Sequence, residues 1–279
     1  MVIVNLFLIL LGLIWIIFAV VQDLNKREIA NWLNFSLVIF ALAFRLFFSL
    51  FGNQGFDFFY QGVIGFGIFF IIGNLLYYGK VFAGGDAKLM IALGAIVPFS
   101  EVFIININSI LTFFLFFLVA GAFYGVVLSV ILGFKNKKEF VREFSEQFNK
   151  KKNYFYVSLA FSIVLLVFAF FESFLLYLAI LMFISPYVYF SAKAIDEACM
   201  IKKIDTRKLA EGDWLYRDMR IGGRLIKAKW SGLSREEITF LRKKKKEILI
   251  RQGIPFSPVF LISYIGLVCV LITQRFYLI

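Results

Sequence analysis

The sequence predicts an all-α polytopic membrane protein of about six to eight transmembrane helices with a small cytoplasmic α+β appendage, and three observations predict it. Of 279 residues, 61% are hydrophobic, 17% are charged and 38 are Phe, with a mean hydropathy of +0.86. A soluble domain has too little interior to hide that much apolar surface. The apolar residues also fall into runs long enough to cross a bilayer, and these are separated by basic segments. Finally, one polar stretch, 193–255, is long enough to fold as a unit.

Eight runs read as spans, roughly 2–22, 32–51, 61–79, 87–105, 107–133, 154–171, 174–192 and 256–276. The first lacks a basic segment before it and an Ala-x-Ala site, and its positive residues, Lys26 and Arg27, come after it. A retained span with its N-terminus outside is therefore expected rather than a cleaved signal peptide. The fourth is the weakest, since Pro98 kinks it and Glu101 shortens its apolar part. With that orientation, segments 23–31, 80–88, 134–153 and 193–255 all face the cytoplasm. They hold 2, 2, 7 and 17 Lys/Arg, which is 28 of the chain's 30. The opposite orientation strands nearly all of this charge outside, so the asymmetry sets the topology.

Within 193–255, Asp218-Met219-Arg220-Ile221, Gly222-Gly223 and Arg224-Leu225-Ile226-Lys227 read as a hairpin with glycines at its turn. Ser234 and Glu237 form a capping box for a helix reaching about Lys246. Ile248-Leu249-Ile250 reads as a short strand before the last span. The organisation is thus a transmembrane domain over 1–192, an appendage over 193–255 and a C-terminal span over 256–279.

Histidine is absent, and the two cysteines, Cys199 and Cys269, lie far apart. Zinc sites, disulfide scaffolds and His-dependent triads are excluded as the basis of function, and no metal or cofactor is expected. What remains is a pair of acids. Asp23 and Asp86 each sit where an apolar run meets its basic flank, and Asp86 follows a glycine pair in Ala83-Gly84-Gly85-Asp86-Ala87-Lys88-Leu89. Ionisable groups at the edge of a span are costly and point to function. Two carboxylates from different helices at one depth suit hydrolysis: one accepts a proton from water while the other donates to the scissile carbonyl. Gly84 and Gly85 leave the backbone before Asp86 open to close approach. Taken singly, each acid has a plainer explanation, Asp86 as a helix cap and Asp23 as a partner for Lys26 or Arg27.

The motifs around both acids resemble those of the type IV prepilin peptidases, a family of GxGD aspartic proteases, and most closely the archaeal preflagellin and prepilin peptidases. The likeness rests on Asp23-Leu24-Asn25-Lys26-Arg27-Glu28-Ile29-Ala30-Asn31-Trp32 and on Ala83-Gly84-Gly85-Asp86-Ala87-Lys88-Leu89, and covers about residues 1–100. The family pattern is Asp, then Arg-x-Ile-Pro-Asn, then GxGD and x-Lys. Ala30 stands in place of its Pro and Ala83 in place of its first Gly; neither change touches a carboxylate. The resemblance implies Asp23 and Asp86 as catalytic residues, with Gly84, Gly85, Lys88, Asn31 and Glu28 in support. It also implies a substrate: pilin-like or archaellin precursors whose short basic leader is cut at the cytoplasmic membrane face. Bacterial relatives add a tetracysteine zinc domain and N-methylate the new terminus, so a chain with two cysteines is expected to be a peptidase only. Presenilin-like and signal-peptide peptidases carry their first acid in a Tyr-Asp pair, whereas Gln22 precedes Asp23 in this chain.

The predicted cytoplasmic segments hold 28 Lys/Arg against 15 Asp/Glu, a net +13. That field repels a basic leader and suits anionic lipid headgroups. Leader recognition then requires a local acidic spot, with Glu28, Asp213 and Asp218 as candidates. Asn74, Gln61 and Arg45, within or near spans, read as residues that join helices or reach the interface. Nothing interleaves aromatics with the basic runs in the way a nucleic-acid site requires, so no nucleic acid is expected. The alternative from another class is a multi-span transporter or channel using Asp23 and Asp86 as proton or cation sites. Against it, no inverted repeat is visible and no acid lies mid-span.

Overall fold

A computed structural model describes residues 2–52, 54–245 and 247–276. In chain order the helices are α1 (Val2–Lys26), α2 (Asn31–Phe51), α3 (Phe56–Tyr78), α4 (Gly84–Leu93), α5 (Phe103–Lys135), α6 (Lys137–Lys150), α7 (Lys152–Phe168), α8 (Phe174–Cys199), α9 (Arg235–Lys244) and α10 (Ser257–Phe276). The strands are β1 (Ile201–Asp205), β2 (Trp214–Leu215), β3 (Met219–Ile221), β4 (Arg224–Ile226) and β5 (Glu247–Arg251). Among the described residues α1, α2, α3, α5 and α8 are long and apolar enough to cross a membrane. The pair α6 and α7, bent by 75°, makes a sixth if counted as one span, and α10 is a shorter apolar helix. The chain is a polytopic helical membrane protein with a small sheet-bearing region. Its contacts divide into two compact units, residues 1–125 with 255–279, and residues 126–254.

In the first unit, α1, α2 and α3 surround α4, the element that departs from expectation. The run 87–105 is not one kinked span. Its helix ends at Leu93, and the chain then turns irregularly through residues 94–102. Ten residues rise about 15 Å, half of what a bilayer core demands. Pro98 contributes by withdrawing a donor and by disfavouring helix at Val97, but the break comes earlier, and Arg45 of α2 explains how it is tolerated. Its guanidinium is fully buried. It donates to the carbonyls of Ala95 (3.0 Å), Ile96 (3.2 Å) and Pro98 in this irregular stretch, and to that of Phe58 (2.9 Å) in the first turn of α3. Irregular backbone away from water survives only when its polar groups are satisfied within the protein, and one planar five-donor side chain meets that need. Phe58 also lies under the guanidinium, 4.6 Å from ring centre to Cζ.

Glycines on α3 set how close α4 and its tail approach. A side chain at Gly62 collides with Arg45, one at Gly65 with Pro98 and Gly94, and one at Gly73 with Ile91. The return into α5 is closed by Asn106, whose amide donates to Gln61 Oε1 (3.0 Å) and to the Ser100 carbonyl (2.7 Å) and accepts from Ser100 N–H (2.9 Å). Gln61 and Arg45 thus join helices, as read from the sequence, whereas Asn74 only donates to the Phe70 carbonyl one turn back. Helix α10 joins the same unit. Tyr264 fits against Gly12 of α1 and donates to the carbonyl of Ile9 at 3.2 Å. Phe82, Phe117, Phe256 and Phe260 form an aromatic cluster holding the 79–83 turn against α5 and α10.

In the second unit α6, α7 and α8 pack together around Phe190. Helix α6 occupies the basic segment 134–153; its Phe140, Phe144 and Phe148 recur every four residues and so line one face. The appendage hairpin is present: β3 pairs β4, and Gly222 and Gly223 take φ of 54° and 81° in the turn. The capping box at Ser234 and Glu237 is also present, with α9 ending at Lys244; the remainder of its expected length reaches Lys246, outside the described residues. Strand β5 covers the expected 248–250 and is the centre of a sheet ordered β1-β5-β2. Helix α8 runs to Cys199, seven residues beyond the expected end, where Arg251 of β5 ties it down through Asp196 (3.1 Å) and Glu197 (3.0 Å).

Candidate active site

Helix α1 ends through local backbone chemistry. Arg27 adopts φ 58°, and its N–H closes on the Asp23 carbonyl at 2.8 Å. The side chain of Gln22 then accepts from Ala30 N–H at 3.0 Å, which folds residues 27–30 back towards α1. Ala30 is the N-cap of α2, with φ −63°, the angle a proline ring imposes; alanine keeps that angle and adds the donor that Gln22 uses. Asp23 lands one turn before this bend, 7% exposed.

The second motif starts α4. Ala83 is its N-cap, with φ −69° and ψ 160°, so a glycine is not required there. Asp86 occupies the third helical position, and its carboxylate bonds back to the Ala83 backbone, half of a capping-box arrangement. The cap reading therefore describes part of what Asp86 does. The rest is its surroundings. Asp86 lies outside the helices long enough to cross a membrane. Its loss of water, with Asp23's negative charge second, pushes its carboxyl up to about 7 against the pull of the Ala83 hydrogen bond.

The two motifs meet in space. Ile29 abuts Gly85, where an added Cβ sits 3.4 Å from the Ile29 Cβ and 3.5 Å from its nitrogen. The close approach at this glycine is thus filled by the chain's own Asp23-bearing turn, while Gly84 faces Tyr77. Lys88 Nζ donates to Asn31 Oδ1 at 2.6 Å, fastening α4 to the start of α2. Asn31 is the first residue of α2 and not its cap, and Lys88 has a protein partner rather than only a membrane surface to reach. Glu28 is exposed on the intervening turn. Asp213 and Asp218 accept from the backbone N–H of Ala210 and Ala228 at 2.8 and 2.7 Å, so both carboxylates hold turns.

Two neighbours of Asp23 carry no signal in the sequence. Ser257 N–H, at the start of α10, donates to Asp23 Oδ2 at 3.2 Å across 234 residues. Tyr124 of α5 stands near enough for Asp23's charge to act on it, and its hydroxyl donates to the Pro255 carbonyl at 2.8 Å. Among the described residues no group of three or more His, Cys, Asp or Glu is gathered to hold a metal ion. What the site offers chemically is two carboxyl groups with unequal surroundings.

Comparison with known proteins agrees with the motifs. Residues 10–134 match the type IV leader peptidase family. The chain is 30% identical over 134 residues to the preflagellin peptidase of Methanococcus maripaludis, covering 46% of this chain and 57% of that protein. It is 28% identical over 136 residues to the preflagellin peptidase of Methanocaldococcus jannaschii, covering 46% and 56%. Against that of Methanococcus voltae it is 31% identical over 88 residues, 32% and 37% of the two chains. The chain thus spans about half the length, or less, of the curated relatives it matches. Both aspartates and the turns that carry them lie inside residues 10–134, the segment that is similar to the type IV leader peptidase family.

Proposed function

We propose that this protein is a membrane aspartic endopeptidase that removes the short basic leader from archaellin- or pilin-like precursors at the cytoplasmic face of the membrane. The observation that carries the reading is the convergence of Asp23 and Asp86, from α1 and α4, with burial and mutual repulsion favouring one proton on Asp86. In the proposed reaction Asp23 takes a proton from water as the water oxygen attacks the scissile carbonyl carbon. Asp86 gives its proton to the carbonyl oxygen, and a tetrahedral diol forms. Collapse of the diol returns a proton to the leaving nitrogen, breaks the C–N bond and restores the pair. Gly84, Gly85, Lys88 and Asn31 act in support by seating the two turns against each other, and Glu28 offers an exposed carboxylate for a basic leader.

The family match and the relatives named preflagellin peptidase support the substrate class. The charge asymmetry supports a cytoplasmic site and anionic lipid partners for the basic surface. The test is incubation of membranes containing this protein with a tagged pilin-like precursor. Loss of the leader at one position, unaffected by EDTA, is expected. An uncut precursor, or cleavage that EDTA stops and zinc restores, contradicts the proposal.

A further inference from the structure

Asp23 closes the last turn of α1, where the negative end of the helix dipole opposes the charge that a proton acceptor must carry. The backbone N–H of Ser257 offsets this at 3.2 Å, from the first residue of α10, at the positive end of that helix's dipole. A serine at a helix start ordinarily bonds the helix's own amides through its hydroxyl. Ser257 is fully buried, and its hydroxyl finds no partner among the described residues, so its contribution is not a cap. The approach is held on both sides. Tyr124 fixes the Pro255 carbonyl, and Phe256 packs edge-on against Phe117 with ring centres 5.7 Å apart.

We propose that Ser257 is a positioning residue of the carboxylate pair: its amide fixes the Asp23 carboxylate and makes Asp23 the member that takes the proton from water. The chemistry rests on the peptidase reading, although the contact does not. Among the charged and titratable groups, Asp86 on α4 and Tyr124 on α5 feel Asp23, and Arg27, just past the end of α1, acts on Tyr124; Lys26 lies in the last turn of α1 and Lys88 on α4. Helix α2 brings none before Arg45 and α10 none before Tyr264.

The experiment replaces Ser257 by its hydroxy-acid analogue, which turns the amide into an ester, removing the N–H and keeping the side chain. Ser257→Ala does the reverse. The full chain, labelled with carbon-13 at aspartate carboxyls and purified in detergent, is titrated by NMR, with the pair's signals identified by their loss in Asp23→Asn and Asp86→Asn. The ester is expected to move the first ionisation of the pair up by about one pH unit, and to lower kcat for leader cleavage about tenfold at acidic pH with KM little changed. Ser257→Ala is expected to leave both in place. If the ester form is not recovered folded, Ser257→Pro, which lacks the same N–H at a helix position that tolerates proline, is measured in the same way. A folded ester or proline variant that titrates as the wild type does, or a Ser257→Ala shift as large as theirs, overturns the proposal. The titration needs no substrate, so a wild type that leaves the precursor uncut sinks the peptidase reading alone.

Discussion

Asp86 bonds to the backbone of its own helix start and at the same time feels Asp23, so one carboxyl group is both a local cap and half of a pair. Its carboxyl is pushed up to about 7 by burial first and by Asp23 second. A raised value means that the protonated form prevails below about pH 7 and is lost above it. If Asp86 is the donor, kcat/KM for leader cleavage holds below that pH and falls about tenfold per unit above it; a rate that stays flat or rises from pH 7 to 9 contradicts the assignment. Gly85 gives a second test at this scale. Because Ile29 already stands in contact range of an added Cβ, Gly85→Ala and Ala83→Gly are expected to retain most cleavage. Gly85→Val, whose extra methyl groups displace the turn after Asp23, is expected to lose most of it while remaining folded. Full turnover by Gly85→Val shows that the spacing of the two turns does not matter.

At the scale of elements, α4 was the part least legible in the sequence. The apolar run continues past Leu93 and its C-cap Gly94 as far as Pro98, and what permits the break is a side chain about fifty positions earlier, Arg45. The hairpin, the capping box and β5 were legible because each is written in adjacent residues with fixed turn or cap chemistry. Strands β1 and β2 were not, since Ile201–Asp205 carries two lysines and an aspartate and takes its strand form from pairing with β5. The two aspartates and their motifs were legible for the same local reason, whereas Ser257 and Tyr124 reach the site only through tertiary packing. Replacing Arg45 by Met removes the donor to three buried carbonyls of the 94–102 stretch, a cost of about 3 kcal/mol or more. A fall in thermal stability is expected, together with loss of cleavage, since α4 carries Asp86. Arg45→Lys is expected to recover part of each. Wild-type stability in Arg45→Met removes the explanation for the broken helix.

For the whole molecule, the distribution of charge makes the proposal about sidedness. With 28 of 30 Lys/Arg in four segments predicted to share one face, single cysteines at Asn149 and Gln252, in a Cys199→Ser, Cys269→Ser background, are expected to react with an impermeant reagent only from the cytoplasmic side. A cysteine at Gln54 is expected to react only from outside. The inverse pattern puts both aspartates on the wrong face for a cytoplasmic leader. The claim that binds these scales together is that Asp23 and Asp86 act as one hydrolytic pair, and it is tested most directly by leader cleavage of a tagged precursor with membranes holding equal amounts of wild type, Asp23→Asn or Asp86→Asn. Each substitution alone is expected to abolish cleavage in a protein that inserts normally, because neither carboxyl can do both proton transfers; near-wild-type cleavage by either variant contradicts the account.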